Sequence, residues 1–247
     1  MPSSAKKSDR TRQLPAAEVA LIFDMDGTLL DGREAVVDAV REGLAATYRH
    51  FDLPVPPLDR DRIAAAIGLP TPAFFRAVFD PLTVPGGIQD RFVGEFEVRS
   101  TRAEVAALER GDTELYAGVE LALETLVERG HPLALFSNAN APYFDAVVRA
   151  HKLDRYFNRT VSLELAVRHR VARTKTGIVA HLARNFTQSV VIGDRIHDIE
   201  AGRSSGARTV GCLYGFGKPV EFTSADWTIS QLPEILELPL TTPASLI

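Results

Sequence analysis

Leu21-Ile22-Phe23-Asp24-Met25-Asp26-Gly27-Thr28-Leu29-Leu30 decides the fold of this chain. The unbroken apolar run reads as a strand buried on both faces. It stops at a carboxylate, and a second carboxylate follows two residues later. Gly27 and Thr28 then turn the chain. An Asp-Gly turn is an ordinary way to end a strand and accounts for one acid. It does not account for two, because charge at a buried strand end is costly unless it is paired or coordinates a metal.

The bulk composition narrows the classes. At 247 residues the chain can bury a sizeable core in one or two domains. Hydrophobic residues make up 45% and charged residues 24%, as in ordinary globular proteins. The net charge of -4 argues against a general nucleic-acid or anionic-membrane binder. No stretch reaches the ~18 to 20 apolar residues of a membrane span. Residues 1–17 are polar, rich in Ser and Lys and without a hydrophobic segment, and are expected to form a disordered tail rather than a secretory signal. The single cysteine, Cys212, excludes an intrachain disulfide, reads as a small buried hydrophobe and suits a reducing cytoplasm.

Outward from the first strand the rhythm is helical. Val36, Ala39, Val40, Gly43 and Leu44 repeat with helical period over 33–50. Pro54, Pro56 and Pro57 break that helix, and two short apolar faces follow, at Ile63–Ile67 and Phe74–Phe79. A longer helix is expected from Ile88 to Arg110. From residue 115 strands and helices alternate: Leu133–Phe136, Arg159–Leu163, Ser189–Ile192 and Arg208–Leu213 as strands, with helices between and a last helix at Gln231–Leu236. That alternation predicts a parallel α/β sheet. The expected organisation is a Rossmann-like three-layer core from 18–32 and 112–247, interrupted by an all-helical domain from 33–111.

Ligands in open parallel sheets bind beyond the carboxyl ends of the strands, and Asp24, Ser137 and Asp194 all stand at such ends. Asp198 lies one helical turn beyond Asp194. Carboxylates that converge need a cation, and hard oxygen donors without His or Cys suit Mg²⁺ working beside a phosphate. The hydroxyl of Ser137 and the ammonium of Lys175, at a helix start, are equipment for holding that phosphate.

These residues carry a resemblance. Phe23–Asp31 resembles motif one (DxDGT) of the haloacid dehalogenase-like hydrolases. Leu135-Phe136-Ser137-Asn138 resembles motif two, Lys175 the motif-three lysine, and Ile192–Gly202 motif four. The helical insert after motif one is similar to the C1-type cap of the family. The Gly211–Gly217 segment, with Ala225-Asp226 beyond it, is most like the phosphoglycolate phosphatase branch. The resemblance implies that Asp24 attacks phosphorus to form an aspartyl-phosphate, and that Asp26 serves as general acid and base. It implies Mg²⁺ held by Asp24, the Asp26 backbone carbonyl and Asp194, with Asp198 supporting from behind or through water. Ser137 and Lys175 would hold the phosphoryl oxygens, with Asn138 nearby. Asp26 also favours phosphate esters, because dehalogenases and phosphonatases of the family lack an acid at that position.

The resemblance therefore implies a Mg²⁺-dependent phosphatase acting on a small phosphorylated metabolite, with 2-phosphoglycolate as first substrate, working as a monomer or homodimer. A β-phosphoglucomutase-type mutase, a nucleotidase, a pyrophosphatase and a non-catalytic binding module are the alternatives. Several features depart from the pattern or stand outside it. Thr176 follows Lys175 where many relatives carry Pro, and the Lys175–Asp194 spacing is short. Arg195 follows the motif-four Asp and is expected to pair with a neighbouring acid. Arg168, His169, Arg170 and Arg173 form a basic cluster read as surface. The Phe74, Phe75 and Phe79 face is read as insert core, and the Gly68–Thr71 loop, with Arg76 nearby, as the place where specificity residues would sit.

Overall fold

In the computed structural model, residues 19–166 and 171–240 are described. The expected tail at 1–17 and Arg168, His169 and Arg170 lie outside the described residues. Strand β1 (Val19–Phe23) is buried along its whole length. It pairs in parallel with β4 (Leu133–Ser137) on one side and β6 (Gln188–Gly193) on the other. With β5 (Arg159–Ser162), β7 (Arg208–Cys212) and β8 (Trp227–Ile229), the order is β5-β4-β1-β6-β7-β8, and every pairing is parallel. A central strand covered on both faces needs apolar residues at every position, which is why β1 is a continuous run rather than an alternating one.

Successive side chains of β1 feed opposite layers. Leu21 and Phe23 pack with Leu123 of α5 (Val119–Glu128) and Phe144 of α6 (Ala141–Ala150). Ile22 packs with Ile178 of α7 (Lys175–Ala183) and Ala201 of α8 (Ile196–Ser204). This is the three-layer α/β architecture expected from the sequence.

The chain leaves the sheet through β2 (Leu30–Asp31) and returns through β3 (Glu114–Leu115), and these two short strands pair antiparallel. Between them lie α1 (Arg33–His50), α2 (Arg60–Ala66), α3 (Thr71–Val78) and α4 (Gln89–Arg110). Helices α1 and α4 approach closely where Gly43 meets Ser100: a Cβ on Gly43 would come within 2.6 Å of the Ser100 backbone. Aromatic edges pack beside this contact, with Tyr48 of α1 4.8 Å from Phe92 of α4 and Phe75 of α3 4.8 Å from Phe96 of α4. Gly111, at φ 78°, ends α4 in the left-handed conformation that favours glycine.

Two readings of the sequence are corrected. The last helix is a 3₁₀ segment, Leu232–Glu237, not an α-helix; Pro233 in its first turn lacks an amide proton, and the run is too short to establish the α pattern. Strands β2, β3 and β8 add to the strands that the sequence predicts, because runs of two or three residues carry no measurable period.

Candidate active site

Strand register sets the site. Phe23 stands opposite Leu135 on β4 and Ile192 on β6. One further step along β1 reaches Asp24, and two further steps along its neighbours reach Ser137 and Asp194. The Asp24 amide donates to the Ile192 carbonyl at 2.9 Å, which holds the first turn beyond the strand in line with the sheet. Gly27, at φ +83°, then turns the chain over the Asp194 carboxylate, and a side chain at this position would collide with it.

Asp24, Asp194 and Asp198 are buried, and each offers a carboxylate oxygen within 4.8 Å of the others. Lys175 reaches in from the first turn of α7. Its Nζ donates to Asp24 Oδ1 at 2.9 Å and to Asp198 Oδ1 at 2.6 Å. Thr174 caps that helix by accepting from the Gly177 amide, which orients the turn. Asp198 also accepts from the Arg195 amide at 3.0 Å, and Asp194 from the Phe216 amide at 2.7 Å. Tyr143 of α6 donates its hydroxyl to Asp26 Oδ1 at 2.8 Å.

The electrostatics show a shortage of positive charge. Burial raises the Asp24 carboxyl well above the usual carboxylate range, and neighbouring Asp198 adds to the rise. Burial followed by Asp198 pushes Asp194 up to about 7. Burial likewise lifts Asp26 to about 6, against the lowering effect of the Tyr143 hydrogen bond. Burial alone would discharge Lys175, but Asp198 and Asp24 beside it override that and keep the ammonium charged. One ammonium facing this many buried carboxylates leaves room for a divalent cation. An all-oxygen donor set without His or Cys fits a hard one.

Asn138 sits beside the carboxylates, but its Nδ2 donates to the Gly68 carbonyl at 2.9 Å and its own carbonyl accepts from Thr71 Oγ1 at 3.0 Å. It therefore ties β4 to the Gly68–Thr71 loop. Ser137 accepts from the Ala139 amide at 3.1 Å and lies close enough to Asp26 to help lower its pKa.

A cavity of about 70 Å³ opens over the site between the sheet and the helices of the insert. Its floor carries Asp24, Asp26, Ser137 and Lys175, and its roof carries Leu69, Phe74 and Phe75. Phe74 and Phe75 are thus both insert core and cavity wall, while Phe79 stays in the core against Phe92. Arg76 is elsewhere, paired with Asp90 at the surface. Arg195 pairs with Glu221 at 3.3 Å, as expected, and its guanidinium also reaches the Ile67 carbonyl across the gap to the insert.

The match to a family model covers residues 19–206 and describes them as haloacid dehalogenase-like hydrolase. The chain belongs to the haloacid dehalogenase-like hydrolases. Among similar proteins, a 5'-nucleotidase of Pseudomonas aeruginosa is 26% identical over 227 residues, covering 88% of this chain and 95% of its own. A phosphoglycolate phosphatase of Pectobacterium atrosepticum is 24% identical over 222 residues, covering 88% of this chain and 91% of its own. The crystal structure of a predicted phosphoglycolate phosphatase from Haemophilus somnus superposes with a TM-score of 0.73 at 20% identity, covering 90% of this chain and 97% of that one. That similarity carries the haloacid dehalogenase-like fold.

Reading the sequence missed three residues of this site: Tyr143, Asn140 and Glu104. Asn140 caps α6 by accepting from the Tyr143 amide, and its Nδ2 donates to Thr101 of α4 at 2.7 Å. Glu104 projects from α4 into the cavity and is 8% exposed. Burial, then the Asp26 charge, push it up to about 8. A signal for Glu104 existed: Phe96, Ser100, Glu104 and Ala107 are spaced four, four and three apart, which places an acid on the buried stripe of α4.

Proposed function

We propose that this phosphatase of the haloacid dehalogenase-like family hydrolyses small phosphomonoesters with Mg²⁺, through an aspartyl-phosphate on Asp24. The observation that carries the reading is the convergence of Asp24, Asp194 and Asp198 on one point, with Lys175 bonded to two of them. Asp24, Asp194 and the Asp26 backbone carbonyl would hold the metal, and Asp198 would support it from behind through Lys175 and ordered water. When bound, the ion supplies the positive charge that offsets phosphoryl charge during transfer.

The remaining steps belong to the chain. Asp24 attacks phosphorus and splits one difficult displacement into two easier ones. Asp26, held by the Tyr143 hydroxyl, gives its proton to the leaving oxygen and then takes one from the water that cleaves the phospho-enzyme. A carboxyl lifted to about 6 suits both duties, because it exchanges protons near neutrality. Ser137 and Lys175 would hold the equatorial phosphoryl oxygens, with Asn138 fixing the loop above them.

In this reading α1 to α4 form a cap that roofs the leaving group and excludes water. A cavity of about 70 Å³ favours small leaving groups, since by this measure one water takes roughly 10–15 Å³. The buried cysteine, Cys212, fits a reducing cytoplasm. 2-Phosphoglycolate enters as a test substrate because similar proteins carry the name phosphoglycolate phosphatase. The experiment is phosphate release from p-nitrophenyl phosphate, sugar phosphates, nucleotides and 2-phosphoglycolate with Mg²⁺, by wild type and Asp24→Asn. Turnover in wild type and none in a folded Asp24→Asn is the expected result. Equal turnover in both overturns the assignment of Asp24.

A further inference from the structure

We infer that the cavity selects phosphomonoesters whose leaving group presents a hydrogen-bond donor, a hydroxyl or an ammonium, and carries no second negative charge, with Glu104 as the residue that reads it. The inference rests on the phosphatase reading above and concerns the half of the cavity remote from the phosphoryl group.

The polar inventory of the cavity is one-sided. Each of its nitrogen donors, and the Tyr143 and Thr71 hydroxyls, already holds a protein acceptor: Tyr143 Oη gives to Asp26, Asn138 Nδ2 to Gly68, Asn140 Nδ2 to Thr101, Thr71 Oγ1 to the Asn138 carbonyl, and Lys175 to Asp24 and Asp198. The acceptors are not. The Glu104 carboxyl has no hydrogen-bond or ion-pair partner among the described residues, although it is more than nine-tenths buried. Asn138 Oδ1 is buried and also without a partner. A buried polar group left unpaired costs about 1–3 kcal/mol, more when charged, so an acceptor that faces this cavity without a protein partner takes its partner from what fills the cavity, water or a bound ligand.

Spare acceptors call for a donor on the ligand. Among the described residues that line the cavity, Lys175 is the single cationic side chain, and its hydrogen bonds go to two aspartates at the phosphoryl end. A leaving group bearing a carboxylate would lie beside Glu104 and Asp26 with no cation facing it. With Glu104 ionised, a second anion there meets like charge and no cation; with Glu104 protonated, one O–H is all the site offers a carboxylate that has two oxygens to satisfy. A hydroxyl gains one acceptor there, and an ammonium gains an ion pair in a water-poor setting. The same logic makes sites built around a hydrogen bond reject analogues that lack it.

The test uses four esters of nearly one size, differing at the remote end: ethyl phosphate, 2-hydroxyethyl phosphate, 2-aminoethyl phosphate and 2-phosphoglycolate. With Mg²⁺, kcat/KM for the hydroxyl and ammonium esters should exceed that for 2-phosphoglycolate by at least about tenfold, with ethyl phosphate between. In Glu104→Gln, the ratio of the ammonium ester to 2-phosphoglycolate should fall by at least about tenfold. Ratios within one variant do not depend on the fraction of folded enzyme, so partial misfolding does not mimic the effect. Preference of wild type for 2-phosphoglycolate over the hydroxyethyl ester, or an unchanged ratio in Glu104→Gln, overturns the inference while the phosphatase reading stands. Absence of turnover on all four esters and on p-nitrophenyl phosphate overturns the phosphatase reading itself, and this inference with it.

Discussion

Nζ of Lys175 stands 2.9 Å from Oδ1 of Asp24, across 151 positions of sequence, with both side chains 6% exposed. The same ammonium bonds Asp198 at 2.6 Å. A buried cation shared by two acids is weak evidence of added stability, but removing it strands both partners. Lys175→Met should therefore destabilise the protein by about 3–5 kcal/mol at neutral pH, measured by urea unfolding, and abolish turnover. A loss below about 1 kcal/mol would mean that the two aspartates find other partners.

The metal site gives a prediction that does not need turnover. Mg²⁺ at a hundredfold excess over its Kd should stabilise wild type by about 2.7 kcal/mol through mass action, seen as a rise in Tm. Asp194→Asn should lose most of that rise. The amide keeps an oxygen for the Phe216 N–H, so the fold is retained while a charged ligand is lost. An identical Mg²⁺ shift in wild type and Asp194→Asn would exclude Asp194 as a ligand.

Tyr143 and Asp26 fix the direction of a pH effect. The Tyr143 hydroxyl donates to the Asp26 carboxylate, favouring the charged form and lowering a pKa that burial has raised to about 6. Removing the hydroxyl removes that lowering. Tyr143→Phe should move the limb of the kcat/KM profile that belongs to Asp26 to higher pH. The protonated acid then persists further toward neutrality, and the basic form needed for water attack appears later. A limb that stays in place or moves toward acid would sever Asp26 from the profile.

Much of this arrangement is legible in one dimension. A continuous apolar run ending in Asp24 reads as a strand covered on both faces, and the apolar runs ending at Ser137 and Asp194 repeat that pattern. Parallel strands joined by helices bring their carboxyl ends to one edge, so the sequence brings the three residues together before any coordinate is known. Arg195 is a middle case. Its pairing with an acid was expected, but the partner, Glu221, and the reach to Ile67 depend on loops from distant parts of the chain. The short β2 and β3 were invisible because two residues define no period.

The sequence by itself determined the α/β class and the kinship with the haloacid dehalogenase-like hydrolases, because strand periodicity and motif spacing are local properties. Only the tertiary structure decided what roofs the site. Glu104 enters the cavity that holds Asp26 because α4 packs against α1 and α6, and Tyr143 meets that carboxyl from α6 across 117 positions. On their own helices both are ordinary residues; burial in a shared cavity, where polar groups must be paired, gives each of them a role. The two carboxylates at the end of β1 were readable as a pair that needs a cation. That a third acid waits above them, unpartnered, is a fact of packing alone.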